Sequence, residues 1–524
     1  MSGATVWTGG RVFTGARYVE ALLVEDGHVA AAGADYEVRR LAPTGAEHRP
    51  LAGRAVVPGL VDAHVHLTEI ARLASGPDVS GGGSLEEILG RLAAWAEAHP
   101  TGAIVGRGWD PERCAHHRWP DAADLDRVVP HRPVVLYHAS GHAAVANTAA
   151  LEDAGVDPAA PAPDAPDVGR RSDGRPSGLL FEDAMRPLAR VAAAGSPIGP
   201  DRLARTVDEL PAFGITAAGA MSSPPEEVEA FGELAAAGRL SITVRAYVRL
   251  SDRSLGARRR ADGPAARFGV VGTKAFLDGA FGTRTAWLSE PYADAPEHDG
   301  IAVGEEGPLG EALADAVDLG LAPALHAIGD RAVERALRIL APLQDRAPAP
   351  VRIEHASLTP DRLLAAIDQG QPTLVVQPGF VWSDGWLADR LGAGRARQAY
   401  RFRTLSARGA RLAASSDAPF DPVDPWRGIR AATRRRGPDG RSANPDPGET
   451  IPVEEAIRLY SSAAADALGL DGRGRLEAGA PGDLVVLRSP RIAAALDAPG
   501  APVDETWIAG RCVYRAPSPS IGKP

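Results

Sequence analysis

The sequence predicts a (β/α)8 barrel with a small β-sandwich domain formed by both chain ends and an insertion after the first barrel strand. Three observations predict it. Eight apolar runs of strand length alternate with stretches of helical periodicity, the pattern of βαβ units around a parallel sheet. Five of those runs carry His, Lys or Asp towards their C-terminal ends, the side of a barrel where active sites sit. The chain, at 524 residues, exceeds one ordinary domain, and a single α/β barrel fills about half of it.

In order, the runs are AVVPGLVDAHVH (55–66), GITAAGAM (214–221), SITVRAYVRL (241–250), VVGTKAFLDG (270–279), LAPALHAIGD (321–330), VRIEHAS (351–357), TLVVQPG (373–379) and RLAASSDAPF (411–420). Helical stretches such as LGEALADAVDLG and AVERALRILAPL occupy the gaps. The two ends read as short strands. ATVWTGGRVF and EALLVEDGHVAAAG surround an Asp26-Gly27 hairpin signal, and GDLVVLRSP and DETWIAGRCVYR surround an Ala-Gly turn. Each end is too small for its own core, so the two are expected to pair.

The gap between the first and second runs is too long for one crossover helix. It contains two more strand-like runs, AIVGRGWD and PVVLYHASGH. It also holds the Pro/Asp/Gly-rich stretch DPAAPAPDAPDVGRRSDGRPSG, which reads as loop or linker. The expected division is therefore 1–57 with 471–516 as the β-sandwich, 58–470 as the barrel, and 68–205 as an insertion shaping its mouth.

Hydrophobic content of 44% and charged content of 24% are ordinary for a soluble globular chain. A net charge of −10 and a pI near 5.8 argue against nucleic acid and against an anionic membrane surface as partners. The start, MSGATVWTGGRVF, lacks the basic and apolar regions of a signal peptide, and no apolar run spans a bilayer. Cys114 and Cys512 are the only cysteines, too few for a disulfide scaffold, and a cytoplasmic setting is the expectation. The expected partners are a small-molecule substrate and, if the chain oligomerises, a second copy in a homodimer.

Lysine occupies only two of the 57 basic positions, Lys274 and Lys523. Lys523 lies in the tail, but Lys274 lies inside an apolar strand-like run. Arginine stays charged in a protein, whereas a buried lysine can become a neutral amine. Such an amine can take up carbon dioxide as a carbamate, an anionic oxygen ligand. Chance survival of one lysine is the alternative.

His64 and His66, two apart on a strand, leave the same face above Asp62. Alone, the pair does not separate a metal site from two satisfied or solvated rings. Lys274, His326, His355 and Asp417 on later strands supply the remaining members of a convergent set, and imidazole with carboxylate suits Zn²⁺ and similar ions.

At these residues the chain resembles the amidohydrolase superfamily of metal-dependent hydrolases. RGWD, SGHAAVAN, TKAFLDGAFGTRTA, LHAIGDRAV and RIEHAS are similar to its YtcJ-like branch, which includes N-substituted formamide deformylases. The resemblance implies one or two divalent ions. His64, His66 and Asp417 would hold the more buried one, His326 and His355 the second, and carboxylated Lys274 would bridge them. Two such ions, about 3.5–4 Å apart, share a hydroxide, and Asp417 would act as general base and then general acid. The reaction implied is hydrolysis of a non-peptide C–N bond in a small amide, such as an N-formyl or N-acyl amine. A deaminase or a lactone or carbamate hydrolase would use the same site. A non-catalytic binding barrel is the alternative from another class, and it has no need of Lys274.

Substrate contacts are expected from Trp109 and His142 in the insertion and from Asp278 and Arg284 beyond the fourth run. His142 could donate to a carbonyl oxygen. Relatives often carry an acidic residue two positions before that histidine, where this chain has Ser140. Core packing is the alternative for Trp109, and a solvated loop cation for Arg284. His116 and His117 read as a charged surface loop.

Overall fold

Eight parallel strands form the central sheet of the computed structural model. They are β1 (Leu60–Val65), β2 (Ile215–Ser223), β3 (Thr243–Arg249), β4 (Phe268–Phe276), β5 (Ala322–Ala327), β6 (Arg352–His355), β7 (Thr373–Val376) and β8 (Arg411–Ala414). The structure describes residues 3–517 except 81, 112–113, 115–117, 140, 163–166, 196–197, 262, 264–265 and 499. His116, His117, Ser140 and Lys523 lie outside the described residues.

Each strand pairs in parallel with the next in chain order, from β1 through β8. Helices cover the outside, among them Glu306–Asp318 and Asp330–Leu340, where the helical periodicity was expected. This is a (β/α)8 barrel. Its β1–β8 seam closes beyond the strand ends. The Asp417 N–H donates to the His64 carbonyl at 2.9 Å and the His66 N–H to the Ala418 carbonyl at 2.8 Å. Beneath them, the buried Asp62 carboxylate accepts from the Ser416 N–H at 3.0 Å and from the Ser416 hydroxyl. The bonds that shut the barrel thus also fix three candidate ligands, His64, His66 and Asp417.

All eight expected runs hold a strand, but the runs continue beyond it. Asp417 lies three residues past β8, and Asp278 two past β4. The reason is that the mouth loops are themselves buried, so their apolar pattern does not stop where pairing stops.

Of two further sheets near the chain ends, a four-stranded one is built from the N-terminal segment and a six-stranded one joins both ends. Leu484–Leu487 pairs antiparallel with Ala55–Pro58, and Trp7 meets Trp507 edge-on at 5.2 Å in the core beneath. Both expected hairpin turns form, with φ of 48° and 82° at Asp26-Gly27 and 47° and 71° at Ala509-Gly510. Positive φ at both central residues matches the twist of the flanking strands. Gly59 leads from these sheets into the barrel, where a Cβ would stand 2.6 Å from the Thr216 hydroxyl.

The inserted segment folds around a five-stranded sheet that includes Ile104–Trp109 and Val134–His138. The Pro-rich stretch is not all loop: Val168–Arg170 and Pro176–Phe181 pair as a hairpin. Its turn is the Asp173-Gly174 signal, hidden by the surrounding composition. The inserted sheet meets the barrel mouth through Glu182, which accepts from the Thr285 hydroxyl at 2.7 Å. No helix among the described residues is long and apolar enough to cross a membrane.

Candidate metal centre

Six of the expected ligands converge at the C-terminal mouth. His64 Nε2 lies 3.3 Å from His66 Nε2 and 3.1 Å from Asp417 Oδ1, which is 3.2 Å from His66 Nε2. His355 stands 5.2 Å from His64, ring to ring, and 4.4 Å from His326. Ligand atoms of His64, His355 and Asp417 all lie within 4.8 Å of one another. Lys274 is buried on β4, its ammonium 4.9 Å from the Phe276 ring centre. It makes no hydrogen bond or ion pair among the described residues. Burial pushes its pKa down to about 8, against the pull of Glu354 and Asp417.

Neighbouring acceptors set the tautomers. His64 Nδ1 donates to the Glu354 carboxylate at 2.6 Å, which turns Nε2 towards Asp417. His355 Nδ1 donates to Gln377 Oε1 at 2.7 Å, and His326 Nε2 donates to the Gly279 carbonyl at 3.1 Å. Glu354 is fully buried and accepts twice from the equally buried Arg352, at 2.8 and 3.0 Å. Burial pushes the Glu354 carboxyl up, but Arg352 and His64 override it and hold it far below the usual range.

Whether a cation fits is decided by Asp417. Its Oδ1 is buried, meets no donor in hydrogen-bond geometry among the described residues, and faces the Nε2 atoms of His64 and His66. Ligand atoms gathered this closely in a buried site are stabilised by a positive charge between them. Ligands of a tetrahedral ion with bonds of about 2.1 Å stand about 3.4 Å apart, close to the 3.1–3.3 Å found here. The donor set therefore fits a divalent metal. Burial also pushes the His355 pKa down to about 3, which keeps its ring neutral and able to ligate. Backbone strain collects at the same place, with φ of 73° at His355 and 57° at Asp417.

The insertion brings one histidine to this centre. His142 lies 5.0 Å from His326, ring to ring, and its Nδ1 is 2.9 Å from a Glu182 carboxylate oxygen. Burial would lower the His142 pKa, but the Glu182 charge and hydrogen bond outweigh it and raise it.

The three other expected contacts have their polar atoms engaged by the protein itself. Trp109 is fully buried, donating from Nε1 to the Leu136 carbonyl at 2.8 Å, and packs in the insertion core. Its apolar ring fills a core that the short inserted strands cannot fill themselves. Asp278 is fully buried, 3.6 Å from His326 Nε2, and accepts from the N–H groups of Trp287, Ile328 and Gly329. Burial pushes it up to about 8. Arg284 pairs with Asp294 at 2.8 Å.

Sequence reading missed Glu354, Gln377 and Glu182. For Glu354 a signal existed, since Arg352 and Glu354 put two charges on one face of a short buried strand. For Glu182, brought in by the insertion's tertiary packing, there was none.

A family model described as "Amidohydrolase family" matches residues 50–514. The chain belongs to the amidohydrolase family. This amidohydrolase is 31% identical over 505 residues to the protein named YtcJ of Bacillus subtilis (strain 168), covering 92% of this chain and 94% of that one. It is 27% identical to the N-substituted formamide deformylase of Arthrobacter pascens, over 89% of this chain and 90% of the relative. Among solved structures it is similar to an uncharacterized metal-dependent hydrolase from Pyrococcus horikoshii OT3. There the TM-score is 0.75 at 30% identity, covering 93% of this chain and 98% of that one.

Proposed function

We propose that this amidohydrolase hydrolyses a non-peptide C–N bond of a small amide, an N-formyl or N-acyl amine, using one or two divalent ions. The observation that carries the reading is the buried Asp417 Oδ1, without a donor in hydrogen-bond geometry among the described residues, facing Nε2 of His64 and of His66. The similarity to a formamide deformylase supports the choice of bond. His64, His66 and Asp417 would hold one ion, and His326 and His355 the other. The buried amine of Lys274, whose pKa burial lowers, would attack carbon dioxide and lose a proton, giving a carbamate that offers anionic oxygen ligands. The imidazole and carboxylate donors suit Zn²⁺. When bound, a divalent cation lowers the proton affinity of water and polarises a carbonyl.

The chain's own groups do the rest. Asp417 accepts a proton from the attacking water and returns it to the leaving nitrogen. His142, whose proton affinity Glu182 raises, donates to the carbonyl oxygen as negative charge develops there. Residues 68–205 shape the pocket, while 1–57 and 471–516 form a separate β-sandwich. The exposed thiol of Cys512 suits a cytoplasmic setting.

The test is amine release from a panel of N-formyl and N-acyl amines by protein purified without chelators. Turnover of at least one member is expected, and Lys274→Ala should lower it by roughly 1,000-fold or more. Formate or acetate should restore part of it by replacing the lost carbamate. An inert panel would contradict the reaction, and an unaffected Lys274→Ala would contradict the lysine's role.

A further inference from the structure

Arg107, on the inserted strand Ile104–Trp109, is a buried cation without a counter-ion. It is 5% exposed, and no carboxylate oxygen lies within 4.0 Å of its guanidinium among the described residues. One NH2 group donates to the Ala139 carbonyl at 2.8 Å, and the guanidinium lies 3.8 Å over the Phe420 ring. Phe420 in turn meets His66 edge-on at 5.1 Å, so one aromatic ring separates this cation from the metal ligands. A buried charge is costly unless paired, and this chain has 67 acidic residues with which to pair it.

Two neighbours add to the same corner. Tyr137 lies beside Arg107 in the parallel ladder, so both side chains leave one face of the inserted sheet. Arg249 ends β3 beside Lys274 on β4; it is exposed and has no hydrogen bond or ion pair among the described residues. Arg72, Arg249 and Arg107 all bear electrostatically on the Tyr137 hydroxyl. Glu69 and Asp417 act on the Arg107 charge only from a distance, and Glu69 is itself held by Arg72 at 2.6 Å. That leaves Arg107 and Arg249 as two cations at the mouth without a direct ion pair among the described residues.

We propose that Arg107, with Arg249 and the Tyr137 hydroxyl, forms a subsite for an anionic group, and that the preferred amide substrates carry a carboxylate. The idea rests on the amide-hydrolase reading for the word substrate, but the subsite can be tested without turnover. Arg107 and Tyr137 orient the anion, Phe420 holds the guanidinium in place, and Arg249 draws the anion in from solvent.

The probes are N-formylphenylalanine and N-formylphenylalanine amide, which differ in one charge. Injection calorimetry on the metal-containing protein reads turnover where the formyl group is released and binding where it is not. The carboxylate is expected to be preferred roughly 10- to 100-fold, as either kcat/KM or affinity, the range of a charge-assisted hydrogen bond to a buried guanidinium. The ratio should fall towards one in Arg107→Gln and in Arg249→Gln, shrink with added salt, and be partly restored in Arg107→Lys. A merely structural Arg107 would change stability and leave the ratio alone. A wild-type ratio near one, or a ratio undiminished in Arg107→Gln, overturns the proposal. If Arg107→Gln does not fold, an undiminished ratio in Arg249→Gln does so. Absence of turnover heat with both probes counts against the hydrolase reading, while the binding ratio still decides the subsite.

Discussion

The pocket has two walls built on different principles. The barrel wall, from β1, β4, β5, β6 and β8, holds its ligands through backbone seams and buried polar partners. His64 leans on Glu354, His355 on Gln377, and Asp417 on the His64 carbonyl. The inserted wall contributes Arg107 from the strand Ile104–Trp109 and His142 from the bend before Ala143–Ala146, with Phe420 and Glu182 among their partners. In the proposed reading the barrel wall holds metal, a demand set by ligand chemistry. The inserted wall meets the substrate in that reading, and can change without disturbing the metal.

The largest expected effect separates the two walls. Glu354→Gln leaves Arg352 buried beside a neutral amide and frees the His64 ring. Stability should drop by about 3–5 kcal/mol, and metal affinity by roughly 10- to 100-fold. Glu182→Gln on the inserted wall should keep both stability and metal content and lower kcat roughly tenfold through His142. Chemical denaturation and metal titration of the two variants check this; equal metal loss in both would erase the distinction.

A second contrast lies within the barrel wall. Glu354 has a buried cation and is pulled low, whereas Glu227 has hydroxyls of Thr68 and Ser223 as its hydrogen-bond partners, and burial pushes it up to about 7. A raised carboxyl favours the folded state while protonated. Its contribution is therefore full below about pH 4.5 and is lost as pH rises to about 7, on the order of 3 kcal/mol. Glu227→Gln should remove that slope from the stability–pH profile, and an unaltered slope would show that Glu227 is ionised without penalty.

The smallest effect is expected at the rim. Arg284→Ala removes a partly exposed pair with Asp294, which keeps Arg390 as a partner. Stability should fall by less than about 1 kcal/mol and kcat/KM should change less than twofold.

Legibility followed the same division. The barrel ligands could be read because each lies on or just past an apolar run, where a lone His, Lys or Asp stands out. Lys274 was marked further by its rarity. Glu354 was hidden within RIEH, although its spacing to Arg352 carried a signal. The inserted wall was legible as strands but not as chemistry. Trp109 and Asp278 looked like pocket residues because polar-capped aromatics and loop carboxylates do line pockets. In this fold their hydrogen bonds are spent on the Leu136 carbonyl and on three backbone N–H groups. Glu182 and Arg107 act through contacts with the barrel loops, which no local pattern encodes.

The central claim is that the Asp417 Oδ1 and the imidazoles around it converge on a metal ion. Elemental analysis of protein purified without chelators tests it most directly. The account predicts at least one divalent transition metal per chain, lost in His64→Ala and in Asp417→Ala with the fold retained. Metal-free wild-type protein, or both variants holding the wild-type complement, would contradict it.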